Sequence, residues 1–186
     1  MKILKGGNDN EKSWDYSRQR SSKSAEHASS KLVKSSIKEK YKGSSIIDLK
    51  EVNLPMMDEP KIPYLGLYVH EKTRKWSELV QSYDGFIFVF PQYNWGYPAV
   101  LKNAIDYLGK EWQGKPVSLV TFGGHGGSQA QIAMKLVVTG LKMAALPVDL
   151  QVNLLPDDST STADRKLNTY NTQAALLKTA FENELS

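Results

Sequence analysis

The stretch GFIFVFPQYNWGYPAVLKNAIDYL, residues 85 to 108, passes from the pattern of a strand to that of a helix. GFIFVF (85–90) has no polar alternation, which is typical of a strand buried on both faces of a parallel sheet. In 97–108, Pro98 suits a first helical turn and precedes an apolar face made by Leu101, Ala104, Ile105 and Leu108. The intervening loop PQYNWG (91–96), here called the aromatic loop, carries aromatic and amide side chains where small turn residues would suffice. It is therefore a candidate binding edge.

The same alternation of strand and helix extends along the chain. Three further short apolar runs are SIIDL (45–49), PVSLVTF (116–122) and LPVDLQV (146–152). Helical spacing predicts helices over 24–41, 71–83, 97–108 and 129–141, and one more after residue 160. Strands that alternate with helices imply right-handed crossovers and a parallel sheet covered on both sides. We therefore predict one doubly wound α/β domain over residues 1–186, with three α/β/α layers.

Helical spacing also predicts the buried faces and the first residues of these helices. The apolar stripes are Trp76, Leu79, Val80 and Tyr83 in 71–83; Ile132, Ala133, Leu136, Val137 and Leu141 in 129–141; and Leu167, Tyr170, Ala174, Leu177 and Phe181 in the last helix. Ser128 is predicted to cap 129–141, and Ser161 or Thr162 to cap the last helix. The long loop over 50–70 contains three prolines, and loops of this length are typically functional or line an interface.

Composition restricts the functional classes. A chain of 186 residues with 40% hydrophobic and 24% charged residues is typical of a globular domain. No apolar stretch approaches the about 20 residues that a membrane helix needs. The absence of cysteine excludes disulfides, thiolate zinc sites and a thiol nucleophile. The opening MKILKGGNDNEK has too short an apolar run for a secretory signal, so we expect a cytoplasmic location.

The basic charge is concentrated at the amino-terminal end. The net charge is +4, and residues 1–45 hold 11 Lys or Arg against 5 Asp or Glu. This pattern fits a solvated helix face beside a loose amino terminus, or an arm for nucleic acid or an anionic cofactor. No helix-turn-helix, zinc-finger or RNP-type signature accompanies it, so we expect no nucleic-acid partner. We also expect no membrane partner.

A second loop is expected beside the aromatic loop. GGHGG (123–127), here called the glycine loop, follows PVSLVTF directly and precedes a helix. In open α/β sheets, ligands bind beyond the carboxyl ends of the strands. Glycines let the backbone approach a flat ligand, although a plain glycine turn and aromatic core packing are the competing interpretations. The glycine loop matches neither a P-loop nor a GxGxxG fingerprint. Together the two loops predict a slot for a planar heterocycle.

These segments resemble the NAD(P)H-dependent FMN reductase family of flavodoxin-like proteins, and within it the yeast type of FMN/quinone reductase. The similarity is carried by PQYNWGYPAVLKNAIDYLGKEWQGKP (91–116) and SLVTFGGHGGSQA (118–130). KTRKWSELV (72–80) and DLKEVNLP (48–55) also fit. The resemblance covers about residues 25 to 150, and the pairing of the aromatic loop with GGHGG is specific to the family.

The resemblance implies a flavodoxin-like fold and non-covalent FMN, with NAD(P)H as co-substrate. In the family, a reduced nicotinamide gives hydride to the flavin, and quinones, azo compounds, ferric chelates or free flavin then collect the electrons. The cofactor performs this chemistry and the protein positions it. The residues implied to hold the ring are Pro91, Gln92, Tyr93, Asn94, Trp95, Gly123, Gly124, His125 and Gly126.

The resemblance also implies a homodimer with the flavin edge near the partner subunit. The long loop, Trp95 and Tyr97 would be natural contributors to that interface. We nominate no catalytic acid, base or nucleophile and no metal ligand. His125 could steady charge on a reduced flavin or simply face solvent.

The amino terminus departs from the family pattern, which has a hydrophobic first strand followed by a phosphate loop of the form GSxRxxS or GSxRxxR. Counting back from the first helix places Ser17, Ser22 and Ser24 at phosphate-contacting positions, with Arg18 nearby. Such groups suit a phosphate, although SRQRSSKS (17–24) also has the composition of a disordered segment. Either 1–4 is a shortened strand followed by an insertion, or the first-strand position is poorly filled or empty.

Two functions from different classes therefore remain open. The first is an enzyme that transfers hydride from NAD(P)H through FMN to quinones or similar two-electron acceptors. The second is a flavodoxin-like binding or regulatory protein that has lost its flavin through the degenerate first strand and phosphate loop.

Overall fold

The structure, a computed structural model, describes residues 2–4, 45–155, 158 and 160–185. One sheet contains β1 (Lys2–Leu4), β2 (Ser45–Ile46), β3 (Gly85–Pro91), β4 (Pro116–Phe122), β5 (Ala144–Ala145) and β6 (Leu150–Val152). The strand order is β2-β1-β3-β4-β5, and β6 also pairs with β4. The pairs β3–β4, β4–β5 and β4–β6 are parallel. The predicted parallel sheet is confirmed for β3 to β6.

The first strand is irregular, as the sequence predicted. Lys2–Leu4 lies between β2 and β3 and runs antiparallel to both. The structure thus supports the interpretation in which 1–4 is a shortened strand, although its direction is not the parallel one usual in such a fold. A strand of three residues forms few ladder hydrogen bonds, and it can form them in either direction. Antiparallel pairing is slightly more stable per residue than parallel pairing.

β5 and β6 are two parts of one interrupted edge. β5 pairs with the start of β4 and β6 with its end. Where the edge is interrupted, the Leu119 N–H group donates to Asp149 Oδ1 at 2.7 Å, and Asp149 Oδ2 pairs with Lys135 Nζ at 2.8 Å. A side chain therefore replaces the missing ladder bond.

Six α-helices are described, and they confirm the predicted alternation. They are α1 (Leu49–Val52), α2 (Glu71–Gln81), α3 (Ala99–Asp106), α4 (Ser128–Gly140), α5 (Thr160–Asn168) and α6 (Asn171–Leu185). Short 3-10 turns occupy Pro63–Leu65, Lys110–Trp112 and Gly124–Gly127. The helix predicted over 24–41 lies outside the described residues. The single helix predicted after residue 160 is divided into α5 and α6.

The sheet separates two apolar clusters. One face of the sheet packs on α2, α3 and α4, and its cluster includes the edge-packed rings of Trp76, Phe86, Phe88 and Trp112. The other cluster contains the buried side chains of α5 and α6. Trp76 Nε1 donates to the Ala104 carbonyl at 2.8 Å, and Trp112 Nε1 to the Ile105 carbonyl at 3.1 Å. The indoles thereby satisfy carbonyls near the carboxyl end of α3.

The end of α2 is closed by a distant lysine. Lys115 Nζ donates to the carbonyls of Val80 at 2.7 Å and Tyr83 at 2.6 Å. A cation is favourable at the carboxyl end of a helix. Burial lowers the pKa of Lys115 below its usual value.

The predicted helix caps are wrong. The residue before α4 is Gly127, whose φ of 73° suits glycine, and Ser128 is already the first helical residue. Ser161 and Thr162 lie inside α5, which begins at Thr160. Both helices therefore start earlier than the cap-forming side chains suggest.

The predicted buried face of α4 is also wrong in part. Its buried residues are Ala130, Gln131, Met134 and Val138, whereas Ile132 and Leu136 are 64% and 74% exposed. The helix carries two apolar stripes, and the one with Ala130, Met134 and Val138 belongs to the buried core. The second stripe faces outward, and that position suits an interface.

Candidate ligand-binding site

The two loops predicted from the sequence lie side by side. β3 and β4 are in register to their ends, where Pro91 pairs with Phe122. The Gln92 N–H group continues the ladder to the Phe122 carbonyl at 3.0 Å. The aromatic loop and the glycine loop thus begin as neighbours at the carboxyl edge of the sheet, where α/β folds bind ligands.

The aromatic loop contains a strained tight turn. Tyr93 and Gly96 exchange two backbone hydrogen bonds, at 2.9 and 2.8 Å, and enclose Asn94 and Trp95. Both central residues have positive φ, 46° for Asn94 and 65° for Trp95, as in a type I′ turn. Asparagine tolerates this conformation, but a tryptophan there is strained by about 1–3 kcal/mol. Tyr93 and Trp95 are 54% and 72% exposed, so this strained turn presents its aromatic rings outward.

The glycine loop turns through a run of left-handed residues. The φ angles of His125, Gly126 and Gly127 are 55°, 68° and 73°. Thr121 Oγ1 donates to the Gly126 carbonyl at 2.7 Å, which ties the loop back to β4. His125 is exposed. The backbone path of this loop thus depends on conformations that favour glycine.

The glycines of this loop have different structural demands. A Cβ atom at Gly126 would lie 2.7 Å from Gln151 Cβ, and one at Gly127 would lie 3.1 Å from Thr121 Cβ. A Cβ atom at Gly124 would meet nothing within 4 Å, and its φ is not in the left-handed region. The fold of the described residues therefore requires glycine at 126 and 127 but gives no reason for glycine at 124. A ligand that approaches the backbone closely would explain why residue 124 has no side chain.

Gln92 joins the two loops through a side-chain contact that the sequence did not reveal. Its Oε1 atom accepts the Ala130 N–H group at 3.1 Å, in the first turn of α4. This contact spans 38 residues of sequence and leaves no local pattern. The sequence predicted Gln92 at the site but not this partner.

The long loop is fastened to the α-helical layer by polar side chains. Asn103 Nδ2 donates to the Pro55 carbonyl at 2.7 Å, and its Oδ1 accepts the Met57 N–H group at 2.9 Å. The buried Glu111 carboxylate accepts hydrogen bonds from the hydroxyls of Tyr68 at 2.8 Å and Ser77 at 2.7 Å. Burial and the neighbouring Glu111 carboxylate raise the pKa of Tyr68 well above its usual value.

A second buried carboxylate closes the end of the long loop. Glu59 accepts the N–H groups of Val69 at 2.8 Å and His70 at 3.1 Å, just before α2. Burial acts to raise the pKa of Glu59, but the nearby Thr73 hydroxyl and these two N–H groups outweigh it and hold the pKa below its usual 4.5. Although its backbone is fastened, the long loop exposes Met56, Ile62, Leu65, Leu67 and Val69.

The sequence-predicted site residues fall into two groups. Pro91–Trp95 and Gly123–Gly126 are brought together at one sheet edge. Ser17, Arg18, Ser22 and Ser24 lie outside the described residues.

A cavity of about 360 Å³ lies at the carboxyl ends of α3 and α4. Its lining includes Met57, Tyr64, Gly109, Gln113 and Leu141. The two loops precede these helices, so this cavity is remote from them.

The described residues contain neither a membrane-spanning helix nor a candidate metal cluster. No helix there is both long and apolar enough to cross a membrane. No cluster of three or more His, Cys, Asp or Glu side chains in that part of the chain could hold a metal ion.

Comparison with known proteins assigns a family. Residues 18–153 match the profile of the family described as NADPH-dependent FMN reductase. An NAD(P)H-dependent FMN reductase of Schizosaccharomyces pombe is 48% identical over 103 residues, which cover 54% of this chain and 52% of that protein. An NAD(P)H-dependent FMN reductase of Saccharomyces cerevisiae is 42% identical over 120 residues, which cover 60% of this chain and 63% of that protein. The matched regions thus span less than two thirds of these relatives.

Solved structures share the fold. The flavoenzyme NAD(P)H:(acceptor) oxidoreductase FerB of Paracoccus denitrificans superposes with a TM-score of 0.57 at 18% identity, over 83% of this chain and 90% of that one. The azoreductase AzrA superposes with a TM-score of 0.55 at 16% identity, over 86% and 96%. The flavodoxin-like α/β fold is confirmed by these superpositions. Because its profile covers most of the chain, this protein belongs to the NADPH-dependent FMN reductase family.

Proposed function

We propose that this protein is an FMN-dependent oxidoreductase that transfers hydride from NAD(P)H to quinones or similar two-electron acceptors. The observation that carries the proposal is the pair of loops at one sheet edge, one of which has a glycine that the fold itself does not require. A flat cofactor lying against Gly124 accounts for that glycine. Family membership favours this function over a binding protein that has lost its flavin.

The residues present fit FMN. The glycine loop has backbone without side chains at Gly123, Gly124 and Gly126, and its end leads into the amino terminus of α4. The N–H groups of Gly123 and Gly126 are used by the Val152 and Gly123 carbonyls, whereas Gly124 is exposed. A helix amino terminus favours an electron-rich ring edge that gains charge on reduction. When bound, FMN would supply the two-electron chemistry, accepting hydride from NAD(P)H and delivering it to the acceptor.

The aromatic loop would shape the other side of the slot. Pro91 and the strained turn at Asn94 and Trp95 hold the loop backbone in one conformation beside the glycine loop. The exposed rings of Tyr93 and Trp95 would exclude water and offer flat surfaces to the nicotinamide or the acceptor. His125, also exposed, would lie near the slot.

We propose that Ser17, Arg18, Ser22 and Ser24 hold the phosphate of FMN.

The test combines a spectrum with turnover. We expect purified protein to be yellow or to become so with FMN, to quench FMN fluorescence saturably, and to oxidise NAD(P)H only when a quinone is present. Boiled protein and free FMN at the same concentration are the controls. A preparation that binds no FMN and shows no quinone-dependent NAD(P)H oxidation would leave only the binding-protein alternative.

We also propose a homodimer formed through the outer surface of the layer that contains α3 and α4. Ile132 and Leu136 of α4, Val100 of α3 and the apolar side chains of the long loop are exposed on this layer. Several exposed apolar side chains on one layer are typical of an interaction surface, whereas single scattered ones are not. Trp95 and Tyr97, next to α3, would bring the site close to the partner. The cytoplasmic location stays a prediction.

Sedimentation tests the dimer with a matched pair of variants. Leu136→Lys charges this outer layer, whereas Leu176→Lys charges an equally apolar, 52% exposed position on α6, in the opposite layer. We expect the first variant to shift the protein to monomer and the second to leave the dimer intact. A monomeric parent protein at micromolar concentration would contradict the proposal.

A further inference from the structure

We propose that Gln92 is a positioning residue that clamps the aromatic loop to the glycine loop through α4. The inference rests on the proposed FMN site for its functional consequence. The clamp itself involves only residues that the structure describes.

Gln92 reaches the glycine-loop side of the site through two hydrogen bonds. Its N–H group donates to the Phe122 carbonyl at 3.0 Å and extends the ladder between β3 and β4. Its side-chain Oε1 atom accepts the Ala130 N–H group at 3.1 Å. Backbone and side chain of one residue therefore join the base of the aromatic loop to both ends of the glycine loop.

α4 needs a cap that its own sequence does not supply. Its N-cap residue is Gly127, which has no side chain to accept a hydrogen bond. Ser128 Oγ bonds instead to Gln129 Oε1 at 3.2 Å. The first N–H groups of a helix lack partners within the helix, and Ala130 is fully buried. An acceptor from outside is required, and Gln92 provides it.

The position of Gln92 gives this cap a role in ligand binding. It stands immediately before the turn formed by residues 93–96, in which Trp95 is strained. Fixing Gln92 fixes the base of this turn relative to the glycine loop. Binding sites depend on such supporting contacts, because a small displacement between facing elements weakens the hold on a rigid ligand.

Two substitutions at this position separate a clamp from a ligand. Gln92→Glu keeps an acceptor for the Ala130 N–H group and adds a negative charge that a helix amino terminus favours. Gln92→Leu keeps much of the volume and removes the acceptor. A glutamine that donated to the flavin would tolerate neither change, because a carboxylate cannot donate and repels a reduced ring.

The first measurement needs no flavin. In the FMN-free protein, we expect Gln92→Leu to speed amide hydrogen exchange at Ala130 roughly tenfold, as expected for a lost cap. The amide of Val138, two turns further along α4, should be unchanged in the same spectra. Gln92→Glu should leave the Ala130 exchange rate within about twofold of the parent, and the carboxyl group it introduces should titrate below the usual glutamate range.

The second measurement is FMN affinity by fluorescence quenching. We expect Gln92→Leu to raise the FMN Kd about tenfold and Gln92→Glu to change it less than about threefold. A Kd that rises at least as much with Gln92→Glu as with Gln92→Leu, with unchanged exchange at Ala130, would overturn the inference in favour of direct contact. If Gln92→Leu fails to fold, the titration of Gln92→Glu decides, since an unshifted or raised pKa contradicts the clamp.

The two proposals fail separately. Absence of FMN binding by the parent protein would remove the proposed function but leave the exchange and titration results as tests of the clamp. Normal FMN binding together with an unprotected Ala130 amide in the parent would remove the clamp alone.

Discussion

The paired loops of the candidate site and the long loop over 50–70 both present side chains on a fixed backbone, but different forces fix them. The paired loops are held by backbone hydrogen bonds, positive φ angles and one amide cap. The long loop is held by the buried carboxylates Glu59 and Glu111 and by Asn103. Substitutions in the paired loops should therefore act through shape, and those around the long loop through charge and pH.

The largest loss of stability should come from shape. Gly126 and Gly66 have nearly equal φ angles, 68° and 70°, but a Cβ atom would lie 2.7 Å from Gln151 at the first and meet nothing at the second. We expect Gly126→Ala to lower the free energy of unfolding by about 3 kcal/mol and Gly66→Ala by about 1 kcal/mol, in urea titrations. Equal losses would show that the neighbouring chain yields and that conformation alone matters.

The next largest effect should come from Glu111, the carboxylate that bonds Tyr68 near the end of the long loop. Glu111→Gln keeps the shape of the side chain but replaces one acceptor oxygen by an NH2 group. In one orientation this group faces the Gly109 N–H donor, and in the other it leaves the Tyr68 hydroxyl without its acceptor. We expect a loss of about 2 kcal/mol. Glu78→Gln, on the exposed side of α2, is the control and should change stability by less than about 0.5 kcal/mol. An unchanged free energy of unfolding in Glu111→Gln would mean that the hydrogen bonds of Glu111 contribute nothing to stability.

A smaller effect, present at neutral pH and lost in acid, should come from Glu59. Because its pKa in the folded protein lies below 4.5, its ionised form stabilises the fold above that pH, and this contribution is lost as the pH falls through the folded pKa. Glu59→Gln should cost about 1 kcal/mol at pH 7 and distinctly less at about pH 3.5. The measurement is urea unfolding at both pH values.

Glu51→Gln, at an exposed position of α1, is the control for this pH series and should cost the same at both pH values. A penalty for Glu59→Gln that stays the same at both pH values would contradict the charge-based fastening. The paired loops should show no corresponding acid dependence, which sharpens the contrast between the two regions.

The sequence predicted the elements that have strong apolar patterns. GFIFVF and PVSLVTF became β3 and β4, and the stripe at Trp76, Val80 and Tyr83 is buried as expected. Because parallel strands end at one edge, the meeting of the two loops could also be inferred. These features depend on local periodicity and on topology, both of which can be read from a single chain.

The features that were missed depend on contacts between distant residues. Gln92 with Ala130, and Glu59 with the start of α2, are polar pairs without periodicity. Periodicity predicts that the stripe of α4 with Ile132 and Leu136 is buried, but this stripe is exposed, because periodicity identifies a stripe and not the surface it meets. The break between α5 and α6 had a signal in the weak helix formers Thr169 and Tyr170.

The smallest effect on folding should accompany a large effect on the ligand. A Cβ atom meets nothing within 4 Å at either Gly124 or Gly140, and neither residue has a positive φ. Gly140 ends α4, whereas Gly124 faces the proposed slot. We expect Gly124→Leu and Gly140→Leu to change the free energy of unfolding by less than about 0.5 kcal/mol each. Only Gly124→Leu should raise the FMN Kd, by about a hundredfold or more, because the ring and the new side chain need the same space. Equal FMN binding by both variants would mean that the ligand does not lie against Gly124, and the glycine there would again have no explanation.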